Sequence, residues 1–190
     1  EEKGKRFLFA FTGQGAQWVG CGETLMQVPV YRETALQVDA LFQPLAGWSI
    51  LEKARTLSTE ALRETQYAQP VTFLVQVGIL KLLESCGVLP SVVVGHSAGE
   101  VGSAYAAGLL SLEEAVQVVY HRSQEQQKLA GCGRLLAVGM GQNEVMDFLA
   151  SAGFSQEGGV EIACVNSPTG TVLAGVQAVL DQVKEKLPAG

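Results

Sequence analysis

The stretch from Val92 to Glu100 reads V-V-V-G-H-S-A-G-E and constrains the fold more than any other part of the chain. A β-branched run that stops at a serine between glycines predicts a buried strand, a tight turn and a helix. Gly95 and Gly99 stand two residues either side of Ser97, where side chains would collide as strand and helix close together. The pattern is typical of a nucleophile elbow, with neighbouring N–H groups free to hold an oxyanion. Gly-rich strand-to-helix turns also serve packing, and that alternative stays open.

Length and composition limit the remaining possibilities. A chain of 190 residues can bury one core, or one core with a small appended subdomain. The net charge of −6 comes without a basic cluster, which argues against nucleic acid or an anionic membrane as the main partner. No apolar run approaches the about 20 residues that cross a bilayer.

The four cysteines are widely scattered, and no C-x-x-C pair or Cys/His cluster is present. This spacing predicts no metal site. We expect free, mostly buried thiols of a reducing compartment, and therefore a cytoplasmic protein.

The sequence pattern of residues 1–132 predicts an α/β core with a parallel sheet, because predicted apolar strands alternate with predicted helices. Interruptions by Pro29, Pro44 and Gly47 predict several short helices between residues 23 and 62. Ser111 and Glu114 form a capping box that opens a helix ending near Ala130. The other predicted elements are a strand at 7–12, a helix at 71–86 and the elbow strand at 92–94.

Residues 133–190 predict a small subdomain with the order β-α-β-β-α. This order matches a ferredoxin-like split β-α-β unit without its last strand. The sequence stops at Gly190, where that strand would begin, so we expect a truncated subdomain. The absent initiator methionine adds the expectation of a piece cut from a larger chain.

A serine nucleophile needs a base within hydrogen-bond reach, and the chain has two histidines. His96 directly precedes Ser97 and is expected to point away from its hydroxyl, in a structural or loop-orienting role. His121 falls on a polar, solvated stripe of its predicted helix, so a Ser-His pair is not predicted. The other members of that stripe are Glu114, Gln117 and Gln124.

Arg122 lies on the apolar face of the same predicted helix, where a guanidinium needs an anionic partner or a strong acceptor. It is half of an internal salt bridge, a side chain that snorkels to solvent, or a bidentate receptor for a substrate carboxylate. The Gly13-Gln14-Gly15 turn either only ends the first strand or directs backbone N–H groups into a site. It lacks the spacing of a phosphate-binding loop.

Four segments and one arginine together resemble one family, the malonyltransferases of acyl carrier protein and the acyltransferase domains of polyketide and fatty acid synthases. They are F-T-G-Q-G-A-Q at 11–17, Y-A-Q-P at 67–70, G-H-S-A-G-E at 95–100, Arg122, and C-V-N-S-P-T-G-T-V-L-A-G at 164–175. The resemblance implies a hydrolase-like, patatin-like core.

The resemblance also implies residue roles. Ser97 matches the acylated nucleophile, and Gln14 and Ala98 match the backbone N–H donors of the oxyanion hole. Arg122 matches the arginine that holds the free carboxylate of a malonyl group. Gln69 and His96 match supporting positions in the pocket.

The implied reaction takes a malonyl group from malonyl-coenzyme A, through Ser97, to the phosphopantetheine thiol of an acyl carrier protein. No bound cofactor or metal is implied, and a ketosynthase and other synthase domains are expected to be covalently linked partners. Ala98 favours malonyl over methylmalonyl groups. The family's general base, a histidine well beyond the serine, would fall past Gly190, so we expect little turnover from these 190 residues.

Two other functions remain open. A serine hydrolase of the patatin or α/β-hydrolase type shares the elbow but discharges the acyl group to water. A catalytically incompetent scaffold fragment would need no base at all.

Overall fold

A computed structural model describes residues 6–188 and divides the chain into two compact units, one ending at Lys128 and the other beginning at Leu129. The first unit, unit 1, contains two strands, five α-helices and two short 3-10 turns. These are β1 (Phe7–Phe11), a turn at Thr24–Gln27, α1 (Pro29–Ala46), α2 (Ile50–Thr56), a turn at Ala61–Arg63, α3 (Thr65–Ser85), β2 (Pro90–Gly95), α4 (Gly99–Ala106) and α5 (Leu112–Lys128).

Strands β1 and β2 pair in parallel, with Leu8 opposite Val92 and Phe11 opposite Gly95. The expected parallel sheet of an α/β core is therefore present. Phe11 is buried, whereas Leu8, Val92 and Val94 are exposed. Because both strands run the same way, their carboxyl ends meet at one edge, where parallel sheets place their ligand sites.

Helix α1 corrects the prediction that Pro44 would break the chain into shorter helices. It runs unbroken for 18 residues with Pro29 at its start and Pro44 in its last turn, and it ends at Gly47 with φ of 76°. The helix buries Tyr31, Val38 and Phe42. A proline inside a helix costs about 3 kcal/mol, whereas each large apolar side chain buried stabilises by about 1.5–3 kcal/mol. Tertiary burial therefore outweighs the local cost.

Helix α3 also begins earlier than predicted, at Thr65 rather than Val71, and carries Pro70 in its second turn. Val71, Leu74 and Val77 bury its apolar face against the unit 1 core, which again offsets the missing N–H of the proline. The longer helix places Gln69 on a rigid element rather than in a loop.

Helix α5 begins with the predicted capping box. The Ser111 N–H donates to the Glu114 carboxylate at 2.8 Å, and the Glu114 N–H donates to Ser111 Oγ at 3.2 Å. Hydrogen bonds to the carboxylate from the Ser111 backbone N–H and, to a smaller extent, from the Ser111 side chain hold the Glu114 pKa below its ordinary value. The helix buries Ala115, Val116 and Val119, so its orientation against the core is fixed.

The second unit, unit 2, has the predicted order of elements: β3 (Arg134–Val138), α6 (Gln142–Ser151), β4 (Val160–Ser167), β5 (Gly170–Gly175) and α7 (Gln177–Lys186). The strands form an antiparallel sheet in the order β3-β5-β4. Its own small core includes Val145, Leu173 and Val183.

The expectation of mostly buried cysteines is wrong. Cys86, Cys132 and Cys164 are exposed and Cys21 is partly buried, although all four are free thiols as predicted. Within residues 6–188, no helix has the length and apolar character to cross a membrane.

Candidate active site

Ser97 occupies the turn between β2 and α4, with φ of 52°, and is the one non-glycine residue with positive φ in the part of the chain that the structure describes. Such a conformation costs about 1–3 kcal/mol and persists only where the surroundings impose it. The predicted strand, turn and helix are therefore present, but the strand is not buried as predicted, because Val92 and Val94 are exposed. We refer to residues 95–100 as the elbow.

Two glycines impose this turn. A Cβ at Gly99 would overlap the carbonyl oxygen of Phe11, and a Cβ at Gly95 would lie 2.5 Å from the Cα of Glu100. Both obstructions are backbone atoms, which cannot swing aside as a side chain would. The predicted steric reason for glycine at these positions is confirmed.

The Gly13-Gln14-Gly15 turn lies against the elbow. The His96 N–H donates to the Phe11 carbonyl at 3.0 Å. A Cβ at Gly13 would lie 3.0 Å from His96 Nδ1 and 3.4 Å from Ser97 Cβ, so the turn packs tightly against the elbow. Ala98 immediately precedes helix α4, and Gln14 follows the end of β1. Neither of their N–H groups donates to an acceptor within residues 6–188.

Arg122 extends from α5 to the elbow, and its Nη2 donates to Ser97 Oγ at 3.2 Å. Desolvation lowers the pKa of this partly buried guanidinium, and the nearby charge of Glu100 partly opposes the shift. In residues 6–188, Arg122 forms no salt bridge with an acidic side chain. The reading of Arg122 as half of an internal salt bridge is therefore wrong for these residues.

The acceptors around Arg122 are neutral amides. Its Nη1 donates to Gln69 Oε1 at 2.6 Å and to Gln126 Oε1 at 3.4 Å. Gln69, only 4% exposed, donates through Nε2 to Gln126 Oε1 at 2.6 Å and to Gln14 Oε1 at 3.3 Å. We call the side chains of Gln14, Gln69, Gln126 and Arg122 the carboxamide network.

Sequence reasoning missed Gln126 and the side chain of Gln14. Gln126 stands four residues after Arg122, so the two share a helix face, and this spacing was the available signal. Gln14 was predicted to act through its backbone only. Its Nε2 in fact donates to the Arg63 carbonyl at 3.2 Å and to Thr65 Oγ1 at 3.4 Å, which ties the turn to the start of α3.

Within residues 6–188, His121 forms no hydrogen bond with Ser97 Oγ, which accepts one from Arg122 Nη2. His121 is exposed as predicted, with its ring centroid 4.9 Å from that of Tyr120. Gln124 corrects part of the predicted solvated stripe, because it is half-buried and its Nε2 atom is buried. No group of three or more potential metal-ligating side chains is found among the described residues.

Comparison with known proteins gives consistent matches. The family described as acyl transferase domain matches residues 8–189. Probable polyketide synthase 40 of Dictyostelium discoideum is 36% identical over 190 residues, which are 98% of this chain and 7% of that protein.

Solved structures match as well. The acyltransferase domain from the second module of the salinomycin polyketide synthase has a TM-score of 0.84 at 35% identity, over 95% of this chain and 41% of that one. The malonyl-CoA:ACP transacylase of Synechocystis sp. PCC 6803 has a TM-score of 0.83 at 28% identity, over 97% of this chain and 60% of that one. The chain spans a small part of its curated relative and about half the length of these structures.

Proposed function

The chain belongs to the acyl transferase domain family, and from this membership we propose that it transfers a malonyl-type group from coenzyme A to an acyl carrier protein. The match to acyltransferase domains of polyketide synthases carries the general reaction. The proposal further assigns the nucleophile, the acyl group and the acceptor.

Ser97 is the proposed nucleophile. Its Oγ attacks the thioester carbonyl carbon, a C–O bond forms, and the C–S bond breaks to release coenzyme A as the thiol. The Oγ proton passes to a base and from that base to the departing coenzyme A sulfur. The phosphopantetheine thiol of the carrier protein then attacks the malonyl-serine ester and returns the proton to Oγ, which completes a ping-pong course.

The backbone N–H groups of Gln14 and Ala98 are proposed to stabilise the tetrahedral oxyanion. Their support is the close approach of the Gly13 turn to Ser97 and the place of Ala98 ahead of α4. Each such donor is typically worth about 2.7–4 kcal/mol in the transition state. The helix dipole of α4 adds to the same field.

A single observation carries the malonyl assignment. Arg122 is a partly buried cation 3.2 Å from Ser97 Oγ, and the part of the chain described offers it amide oxygens but no carboxylate partner. A malonyl carboxylate would supply the missing anion through a bidentate pair, whereas an acetyl group would not. The guanidinium keeps its charge although desolvation lowers its pKa.

The same proposal includes the architecture of the two units and the cellular setting of the protein. Unit 1 is interpreted as a patatin-like, hydrolase-type core, and unit 2 as a ferredoxin-like subdomain, which its β3-β5-β4 strand order supports. The proposed partners are malonyl-coenzyme A, an acyl carrier protein and covalently linked synthase domains in the cytoplasm. The linked synthase domains would determine whether the final product is a polyketide or a fatty acid.

The test is acylation measured by intact mass. The chain is incubated with malonyl-coenzyme A and with imidazole as an external base, beside Ser97→Ala and the exposed-serine control Ser91→Ala. We expect a gain of one malonyl group in the unsubstituted chain and in Ser91→Ala, and none in Ser97→Ala. An adduct that persists in Ser97→Ala, or none in the unsubstituted chain, would contradict the proposal.

A second measurement separates transferase from hydrolase. The acylated chain is mixed with phosphopantetheinylated carrier protein or with buffer alone. Malonyl transfer to the carrier that outpaces loss to water supports the transferase assignment, and equal rates of loss in both mixtures would favour a hydrolase.

A further inference from the structure

Gln126 lies between the two side chains that define the proposed carboxylate receptor. Its Oε1 accepts from Gln69 Nε2 at 2.6 Å and from Arg122 Nη1 at 3.4 Å. One oxygen atom therefore contacts both the buried amide and the guanidinium.

The direction of each hydrogen bond in the carboxamide network is fixed from one end. The Arg63 carbonyl can only accept, so Gln14 must turn Nε2 toward it and Oε1 toward Gln69. Gln69 must then turn Nε2 toward Gln14, which leaves its Oε1 facing Arg122 Nη1.

Gln126 completes this arrangement. The Gln69 Nε2 group has two N–H donors, and Gln14 takes one of them. The Gln126 oxygen takes the second, in the shorter of the two contacts. Without it, this donor on a side chain only 4% exposed would lose its nearest protein acceptor, and Gln69 would no longer be held in its orientation toward Arg122.

We propose that Gln126 is a positioning residue that sets the preference of this site for carboxylated acyl groups. It holds Gln69, and through Gln69 it holds Arg122 Nη1, so that Nη2 remains directed at Ser97. The inference rests on the proposed function, in which Arg122 receives the malonyl carboxylate.

The neutrality of Gln126 is part of the proposal. A carboxylate at the same position would face the guanidinium four residues earlier on the same helix and would form the ion pair that the substrate should form. An amide oxygen orients Arg122 and leaves its charge available. The chain therefore needs an acceptor without charge at position 126.

Equilibrium binding tests this inference without requiring turnover. The chain is titrated with malonyl-coenzyme A and with acetyl-coenzyme A by isothermal calorimetry. The variants are Gln126→Met, which keeps side-chain length but removes the amide, and Gln126→Glu, which keeps the acceptor but adds charge. The matched controls are Gln117→Met and Gln117→Glu, at an exposed glutamine of the same helix.

We expect Gln126→Met to weaken malonyl-coenzyme A binding about tenfold, the effect of one charge-assisted hydrogen bond, and to leave acetyl-coenzyme A binding unchanged. Gln126→Glu should weaken malonyl binding at least as much, and the Gln117 variants should match the unsubstituted chain. Circular dichroism melts confirm that each variant is folded.

The outcomes separate the two proposals. If the unsubstituted chain binds both thioesters equally, the carboxylate receptor itself is wrong. If it prefers malonyl-coenzyme A and both Gln126 variants keep that preference, the role of Gln126 is wrong and the proposed function stands. Equal loss of both ligands in the Gln126 variants would indicate a merely structural residue and would also overturn the inference.

Discussion

The elbow and the carboxamide network lie in the same unit and converge on Ser97, but they are held by different interactions. The elbow is six consecutive residues whose shape is imposed by contacts between backbone atoms of β1, β2 and α4. The carboxamide network joins side chains from a turn, from α3 and from α5, through amide groups that rotate about single bonds. A substitution in the elbow, which is built from backbone contacts, is therefore expected to destabilise the fold. A substitution in the carboxamide network, which is built from side chains, is expected to change ligand specificity while the fold remains stable.

The largest effect, on the free energy of unfolding, is expected from Gly99→Ala, which adds a side chain in the elbow. The new methyl group would overlap the Phe11 carbonyl oxygen, and neither atom can move without disturbing β1 or α4. We expect the free energy of unfolding to fall by about 3 kcal/mol, the upper end for overpacking. Urea denaturation, followed by circular dichroism and by fluorescence of Trp18 and Trp48, measures it.

The control for this prediction is Gly139→Ala. A Cβ at Gly139 meets nothing within 4 Å, and its φ is not positive. Its unfolding free energy should stay within about 0.5 kcal/mol of the unsubstituted chain. Matching denaturation midpoints for the Gly99 and Gly139 variants would show that the elbow tolerates a side chain after all.

Arg122→Met removes the guanidinium from the carboxamide network and should leave the fold intact. The substitution keeps most of the apolar stem and removes the charge that faces Ser97. We expect malonyl-coenzyme A to bind about 10- to 100-fold more weakly, from the loss of a charge-assisted pair of about 1.5–3 kcal/mol. Calorimetric titration with malonyl- and acetyl-coenzyme A measures both affinities.

Arg55→Met serves as the matched control, because Arg55 is exposed on α2 and its Nε donates to the Leu51 carbonyl of the same helix. Its affinities should equal those of the unsubstituted chain. Should the Arg122 variant bind both thioesters as before, the guanidinium would not be a carboxylate receptor.

The smallest effect is expected from Glu100→Gln, because the charge of Glu100 in the elbow acts on Arg122 in the carboxamide network. Glu100 raises the pKa of Arg122 electrostatically, so it also competes with a substrate carboxylate for that cation. Removing its charge should strengthen malonyl-coenzyme A binding about twofold at low ionic strength, and salt should diminish the gain.

The same substitution should slightly weaken the fold, because an acidic side chain in the first turn of a helix stabilises it by about 0.3–1 kcal/mol. Glu113→Gln, in the first turn of α5, is the matched control for that loss. A malonyl affinity that falls, rather than rises, in the Glu100 variant would mean that its carboxylate supports the site instead of competing with it.

Sequence alone predicted the elbow because its cause is local. Glycines two residues either side of a serine indicate a steric requirement that does not depend on the rest of the fold. Ser97 has the expected strained backbone, with positive φ. The capping box at Ser111 was predictable for the same reason, since both partners lie within one turn. The element order of unit 2 followed from short apolar runs between turn residues.

The misses have non-local causes. Pro44 was predicted to interrupt a helix, and the helix that contains Pro70 was predicted to begin only at Val71. Burial of both helices in the core outweighs the missing proline N–H groups. Gln124 belonged by helical spacing to a solvated stripe, but spacing does not say what covers a face. Gln126 acquires its place only when α3 brings Gln69 against α5, which no local pattern encodes.

The strained backbone at Ser97 has a consequence for engineering. Glycine adopts positive φ without the penalty that serine bears, so a glycine at this position would make the chain more stable by about 1 kcal/mol or more. A screen that rewards heat resistance alone would therefore discard the hydroxyl early. Any thermostable library built on this fold needs a chemical readout beside the thermal one, or position 97 must be held constant.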